Sequence, residues 1–384
     1  MAYRYIHAEY LFTGEEIIPD GVLVLDAEGV VADISYTIPK QAEYYQGILS
    51  PGFINCHCHL ELSGLRGEIA PGSGMVDFLL AVMKSRQQQA TTQEPIRQAM
   101  AAMRKAGIVA VGDICNTADT LVLKQQSGLT FHNFIEATGF IPENAAARFA
   151  HSYALWQKFS SALPGQPASI VPHAPYSVSE ALLQLISGHS NNRVITMHNQ
   201  ESAAETEFLL SGEGELSRLF SSFNIPVEIR AYPQGPELVN SYFRSAASII
   251  LVHNVFTTSD DLQLADGENV YWCLCPNANR YIGNPLPPVS MFYEQGVNLV
   301  LGTDSLASND QLCIHSEMQT IAQACPDIPI EELLKWATLN GARALGIADR
   351  FGSFAPGRRP GMVRMEYEES TGRIGKLIGK GSVW

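Results

Sequence analysis

Positive charge is scarce in this 384-residue chain: 25 Lys and Arg stand against 39 Asp and Glu, a formal net charge of −14. No basic run offsets that balance, whereas a nucleic-acid binder presents a basic patch or stripe. A nucleic-acid partner is therefore not expected. Long apolar runs are missing as well. Nothing approaches the roughly 18 uninterrupted apolar residues of a membrane span, and Met1 to Gly14 lacks the basic start and apolar stretch of a secretory leader. Cysteine is sparse and odd in number, seven in all, which suits free thiols in a reducing compartment better than a disulfide framework. The expectation is a cytoplasmic protein with no membrane partner. Core material, by contrast, is ample: 46% of residues are hydrophobic and 17% charged, a globular rather than a disordered composition.

The first fifty residues read as short strands broken by turns: Ile17-Ile18, then Val22 to Leu25, a hairpin-like turn Asp26 to Gly29, and Val30 to Ile34. The C-terminal tail has the same character in Met362 to Tyr367 and Ile374 to Val383. Between them, apolar strand-like runs alternate with helical stretches, the pattern of a parallel α/β architecture. The strand candidates are Gly52–Cys58, Ile108–Ile114, Leu129–Ile135, Ala168–Pro172, Val194–Met197, Ser248–Val252, Val270–Leu274 and Val297–Leu301. Helical spacing marks Val76–Gln89, Thr92–Ala106, Asn144–Ser161, Val178–Ser187 and Glu201–Ser222. Eight β/α units predict a (β/α)8 TIM barrel over residues 51–349. Residues 1–50 and 350–384 are expected to join into a small β-sandwich domain.

Polar residues fall where such a barrel would use them, at the C-terminal strand ends. His57 and His59 end the first strand and His173 follows the fourth. His198 ends the fifth, His253 the sixth, and Asp304 follows the eighth, so five of the ten histidines converge. In His57-Cys58-His59 the two imidazoles share one face of the strand while Cys56 and Cys58 face away. With His198 and Asp304 they make three imidazoles and a carboxylate, leaving a position for water as a catalytic zinc or iron(II) site requires. One divalent ion is expected, zinc first and Fe2+ as the alternative. Such an ion lowers the pKa of its bound water toward about 7.

Glu201, three residues after His198, lies at a strand end turning into a helix. It reads either as a proton shuttle beside that ion or as an N-terminal charge favoured by the helix dipole. His253 is placed to polarise the water, and His173 and Tyr176 to touch a substrate. Cys273-x-Cys275 puts two thiols on one face and reads as core packing rather than a metal site.

Several segments resemble one family in order. Pro51-Gly52-Phe53-Ile54-Asn55 leads into His57-x-His59; then come His173-Ala174-Pro175-Tyr176, His198-x-x-Glu201, Val252-His253-Asn254, Cys275-Pro276-Asn277-Ala278-Asn279 and Gly302-Thr303-Asp304-Ser305. The chain resembles the amidohydrolase superfamily, in the branch of deaminases and chlorohydrolases. His59-Leu60-Glu61-Leu62-Ser63 and His173 to Val178 look most like the aminodeoxyfutalosine deaminases of menaquinone synthesis. The resemblance implies His57, His59, His198 and Asp304 as metal ligands, with Glu201, His253 and Asp304 as catalytic residues. Asp304 would also take a proton from the attacking hydroxide. His173 matches a substrate contact, and Arg280 or Arg66 is the candidate grip on a substrate carboxylate. Binuclear members usually carry a lysine on the fourth strand. Ala168 to His173 has none, so the resemblance implies one metal, Glu136 being the only nearby carboxylate that could bridge a second. Two motifs depart from the branch: Ala278 stands where a serine is common, and Met362 to Met365 lacks the usual ending.

The expected activity is hydrolytic deamination of an adenine-type nucleoside or related aminated ring. Cyclic-amide opening, chloride displacement, or deamination of guanine or cytosine are the rivals on the same site. A non-catalytic scaffold is the rival of another class, and the retained ligands count against it. The partner is a small molecule, and a homodimer is the assembly expected.

Overall fold

The computed structural model describes residues 3–88, 92–228 and 231–378. Its strands are β1 (Arg4–Phe12), β2 (Ile17–Pro19), β3 (Val22–Leu25), β4 (Val31–Ser35), β5 (Glu43–Pro51), β6 (Phe53–Cys58), β7 (Ile108–Cys115) and β8 (Thr130–Ala137). There follow β9 (Ala168–Pro172), β10 (Val194–Asn199), β11 (Ser248–His253), β12 (Val270–Leu274), β13 (Asn298–Leu301), β14 (Met362–Glu368) and β15 (Arg373–Leu377). All eight central strand expectations coincide with β6 to β13.

Those eight form two parallel four-stranded sheets, β6-β7-β8-β9 and β10-β11-β12-β13. Nearly every residue of these strands is buried, as parallel strands covered on both faces require. The sheets also meet at their edges. His198 N donates to the His173 carbonyl at 2.9 Å, and the His57 carbonyl accepts from Thr303 N at 3.0 Å and Asp304 N at 3.1 Å. A parallel bridge joins Cys58 to Asp304. The C-terminal end of β6 thus lies against the segment that follows β13, and β9 against β10.

Helices cover the strands through single apolar faces. In Gln93–Lys105 the buried residues are Ile96, Ala99, Met100 and Met103, the i, i+3, i+4, i+7 stripe of one helix face. One helical expectation needs correction. Residues 201–222 hold two helices, Ala203–Ser211 and Ser217–Ser222. Gly212 (φ 77°) and Gly214 (φ 94°) adopt left-handed backbone that ends the first helix. The expected helix end at Gln89 and the tail beyond Ile378 lie outside the described residues.

Both chain ends enter one seven-stranded sheet of order β15-β14-β5-β1-β3-β4, with β2 paired to β1. Strands β1 and β5, which the sequence reading did not mark, are its parallel centre. Among the described residues, no helix is long and apolar enough to cross a membrane.

Candidate metal centre and active site

The strand ends bring four of the predicted residues to one point. His59 Nε2 lies 3.2 Å from His57 Nε2 and 3.3 Å from His198 Nε2. Asp304 Oδ1 is 3.5 Å from His57 Nε2 and 3.4 Å from His59 Nε2. Four ligands held tetrahedrally at about 2.0–2.1 Å from a zinc ion stand about 3.3–3.4 Å apart, so these edges fit one such ion. The donors behind them fit as well. His198 Nδ1 donates to the His173 carbonyl at 2.8 Å, which leaves Nε2 for the centre. Ser308 Oγ donates to Asp304 Oδ2 at 2.5 Å and leaves Oδ1 for it.

Close packing makes this approach feasible. Gly302 passes so near His57 that a Cβ there would meet the His57 Cβ and the sulfurs of Cys273 and Cys275. Both cysteines are buried free thiols, as expected of core residues. Three residues around the centre, Gln200, His253 and Asp304, adopt positive φ without being glycine. Backbone of this kind costs about 1–3 kcal/mol each and collects at functional sites.

Burial sets the charges. It lowers His57, His59 and His198 below the usual imidazole value, His59 to about 4, so the rings are neutral and free to bind a cation. Burial also pushes Asp304 up, but the His57 hydrogen bond and the surrounding imidazoles outweigh it and keep the carboxyl well below its usual range. Glu201 moves the other way: burial, then the charge of Asp304, raises it well above a normal carboxyl. His253, lowered by burial, has Nε2 3.6 Å from Glu201 Oε1. Both shifts disfavour the charged forms, so the contact is not read as an ion pair. His253 Nδ1 donates to Asn279 Oδ1 at 2.8 Å, which turns Nε2 into the site as an acceptor.

The remaining expectations divide. His173 and Tyr176 lie beside the centre: the His173 ring is 4.7 Å from His198, and Tyr176 stands edge-on to His173 at 5.8 Å. Tyr176 is buried and its hydroxyl lacks a hydrogen-bond partner among the described residues. Trp272 packs on Phe292 and belongs to the core, as does Phe53 at the opposite end of β6 from His57. Arg66 and Arg280 are exposed, after the first and seventh central strands, and are not drawn into the buried cluster.

Other supporting groups went unread. Glu205, fully buried, accepts from Gln200 N at 3.1 Å and Glu201 N at 2.8 Å and so fixes the turn that carries Glu201. Glu61, inside the quoted motif, accepts from Asn116 N, Thr117 N and Arg86 and ties the turn after His59 to β7. Burial raises it to about 7 despite Arg86. Asp113 accepts from Leu60 N at 2.9 Å, next to His59, and pairs with Lys124 at 2.6 Å with both side chains fully buried. Lys124 also donates to Asn133 Oδ1 at 2.8 Å. Lys124→Met strands the Asp113 charge and is expected to cost about 3–5 kcal/mol. Urea unfolding measures it; a loss under about 1 kcal/mol would mean the pair is not what holds this turn.

Known proteins resemble this chain in sequence and fold. The family described as the amidohydrolase family matches residues 48–373. A 5-methylthioadenosine/S-adenosylhomocysteine deaminase of Teredinibacter turnerae is 24% identical, over 87% of this chain and 75% of that protein. An aminodeoxyfutalosine deaminase of Nitratiruptor sp. is also 24% identical, over 97% and 94%. Among solved structures, the aminofutalosine deaminase of Helicobacter pylori in complex with methylthio-coformycin superposes with a TM-score of 0.82. It is 23% identical and covers 95% of this chain and 93% of its own. That likeness establishes an α/β fold shared with these enzymes.

Proposed function

This chain belongs to the amidohydrolase family, and we propose that it is a mononuclear, zinc-dependent aminohydrolase of adenine-type nucleosides. The observation that carries the reading is a buried Glu201, 3.6 Å from His253, beside three histidines and an aspartate whose neighbouring ligand atoms stand 3.2–3.5 Å apart. The same reading joins the two four-stranded sheets into one closed (β/α)8 barrel over residues 51–349. Residues 1–50 and 350–384, whose described strands share one sheet, then form the small β-sandwich domain.

His57, His59, His198 and Asp304 would hold the ion. When bound, a divalent ion of this kind would lower the pKa of water and supply the nucleophile. Glu201 holds a proton at neutral pH and hands it from its carboxyl to the ring nitrogen beside the amine-bearing carbon. His253, its other nitrogen fixed by Asn279, presents Nε2 to orient the incoming water. Asp304 stays ionised, accepts the proton of the incoming water and returns it to the departing amine, which leaves as ammonia. His173 and Tyr176 bound the place of the aromatic ring.

Ring protonation favours an amidine-like carbon over a cyclic amide, and the named relatives that deaminate adenine nucleosides support that choice. Aminodeoxyfutalosine, an adenine nucleoside with a carboxyphenyl extension, is the proposed substrate, with Arg66 or Arg280 as the grip on its carboxylate. Ammonia release from adenosine derivatives and aminodeoxyfutalosine, set against guanine, cytosine and a cyclic amide, tests it. Turnover confined to the adenine nucleosides is expected. Turnover of the cyclic amide alone would overturn the deaminase reading.

A further inference from the structure

Glu136 ends β8 beside the centre with its side chain 6% exposed. Its Oε2 accepts from Asn116 Nδ2 at 2.8 Å. The direction of that amide is fixed, because Asn116 Oδ1 accepts from Arg86 at 3.0 Å and Asn116 N donates to Glu61 at 3.0 Å. The other oxygen, Oε1, is buried and has no hydrogen-bond partner among the described residues. Its neighbour His198 Nδ1, 3.8 Å away, is committed to the His173 carbonyl. His173 lies alongside, within 4.8 Å of both by its ligand atom. The Nδ1 of His173 is engaged with Ser177 Oγ at 2.8 Å, which leaves Nε2.

A buried acceptor without a donor costs about 1–3 kcal/mol, and more when charged. A group from outside the protein would remove that cost. A second metal ion fits poorly: His198 Nδ1 carries the proton it gives to the carbonyl, so the triplet offers two ligands where a zinc site takes three or four. A hydroxyl fits both open atoms. It donates its one hydrogen to the carboxylate and accepts from His173 where Nε2 carries the proton.

We propose that Glu136 is a specificity-determining residue that receives a sugar hydroxyl of the substrate, selecting aminated nucleosides over free bases. The inference rests on the nucleoside-deaminase reading. It also predicts how Glu136→Gln behaves: Asn116 Nδ2 draws the amide oxygen to the Oε2 side, which turns an NH2 group on the hydroxyl where an acceptor is needed.

The test compares kcat/KM for adenosine, 2′-deoxyadenosine, 3′-deoxyadenosine and adenine in the wild type and in Glu136→Gln. Calorimetric Kd values for inosine and its two deoxy forms give a second readout without turnover. For the wild type, loss of one of the two hydroxyls is expected to lower kcat/KM and weaken binding about 10- to 100-fold. Glu136→Gln should lose a similar factor with adenosine and then be indifferent to loss of that hydroxyl. A wild type indifferent to both deoxygenations overturns the proposal without recourse to the variant. So does a variant that penalises all four substrates equally, or one whose bound divalent ion falls from two per chain to one. A wild type that releases ammonia from none of the four nor from aminodeoxyfutalosine, and binds none of the inosines, overturns the deaminase reading and this inference together.

Discussion

Glu201→Gln is expected to lower kcat about 10²- to 10⁴-fold, the range supplied by a positioned general acid–base, while the protein keeps its fold and its metal. Glutamine matches glutamate in size, and Glu201 is held by its backbone: its N–H donates to Glu205 at 2.8 Å. The turn should therefore survive the change. What is lost is the acid proton, which burial and Asp304 favour on the carboxyl and an amide cannot deliver. Single-turnover kinetics beside metal analysis separates the two effects. An undiminished kcat would return Glu201 to the role of a charge at a helix start.

The second large effect falls on the ion. Asp304→Asn removes the single carboxylate of the four-residue cluster and leaves three imidazoles, His59 Nε2 lying 3.2 Å from His57 and 3.3 Å from His198. Activity should be abolished and metal affinity should fall by more than for Ser308→Ala. Ser308 only orients Asp304 through Oδ2, and loss of such an outer partner costs about 10- to 100-fold in affinity. Competition with a chromogenic chelator measures both variants. Equal affinity in Asp304→Asn and wild type would take Asp304 out of the ligand set.

The four candidate ligands are legible in the sequence chiefly through strand periodicity. His57 and His59 stand two apart and so share a face, and His198 follows an apolar run that could only be a buried strand. The supporting shell was opaque for a physical reason. Glu205 looks like an ordinary charged helix residue and is in fact fully buried beneath two backbone N–H groups. Glu61 meets Asn116 and Thr117 across 55 and 56 residues, and Lys124 meets Asp113 from a neighbouring helix. Pairings of that kind depend on how β7 lies against β6, which no local pattern encodes. Strand β1 is a half-buried strand, Ile6 and Ala8 facing the end sheet's core, and its Arg4, His7 and Glu9 leave too short an apolar run to stand out. The break at Gly212 and Gly214 shows the reverse case, in which local backbone preference overrode a continuous apolar spacing.

Protein stripped by a chelator and then titrated with zinc, with ammonia release from an adenine nucleoside followed at each step, tests the central claim most directly. The ligand geometry predicts no release at the start and a linear rise that breaks at one equivalent per chain. Full activity in the stripped protein, or a break at two equivalents, would contradict a single-ion aminohydrolase.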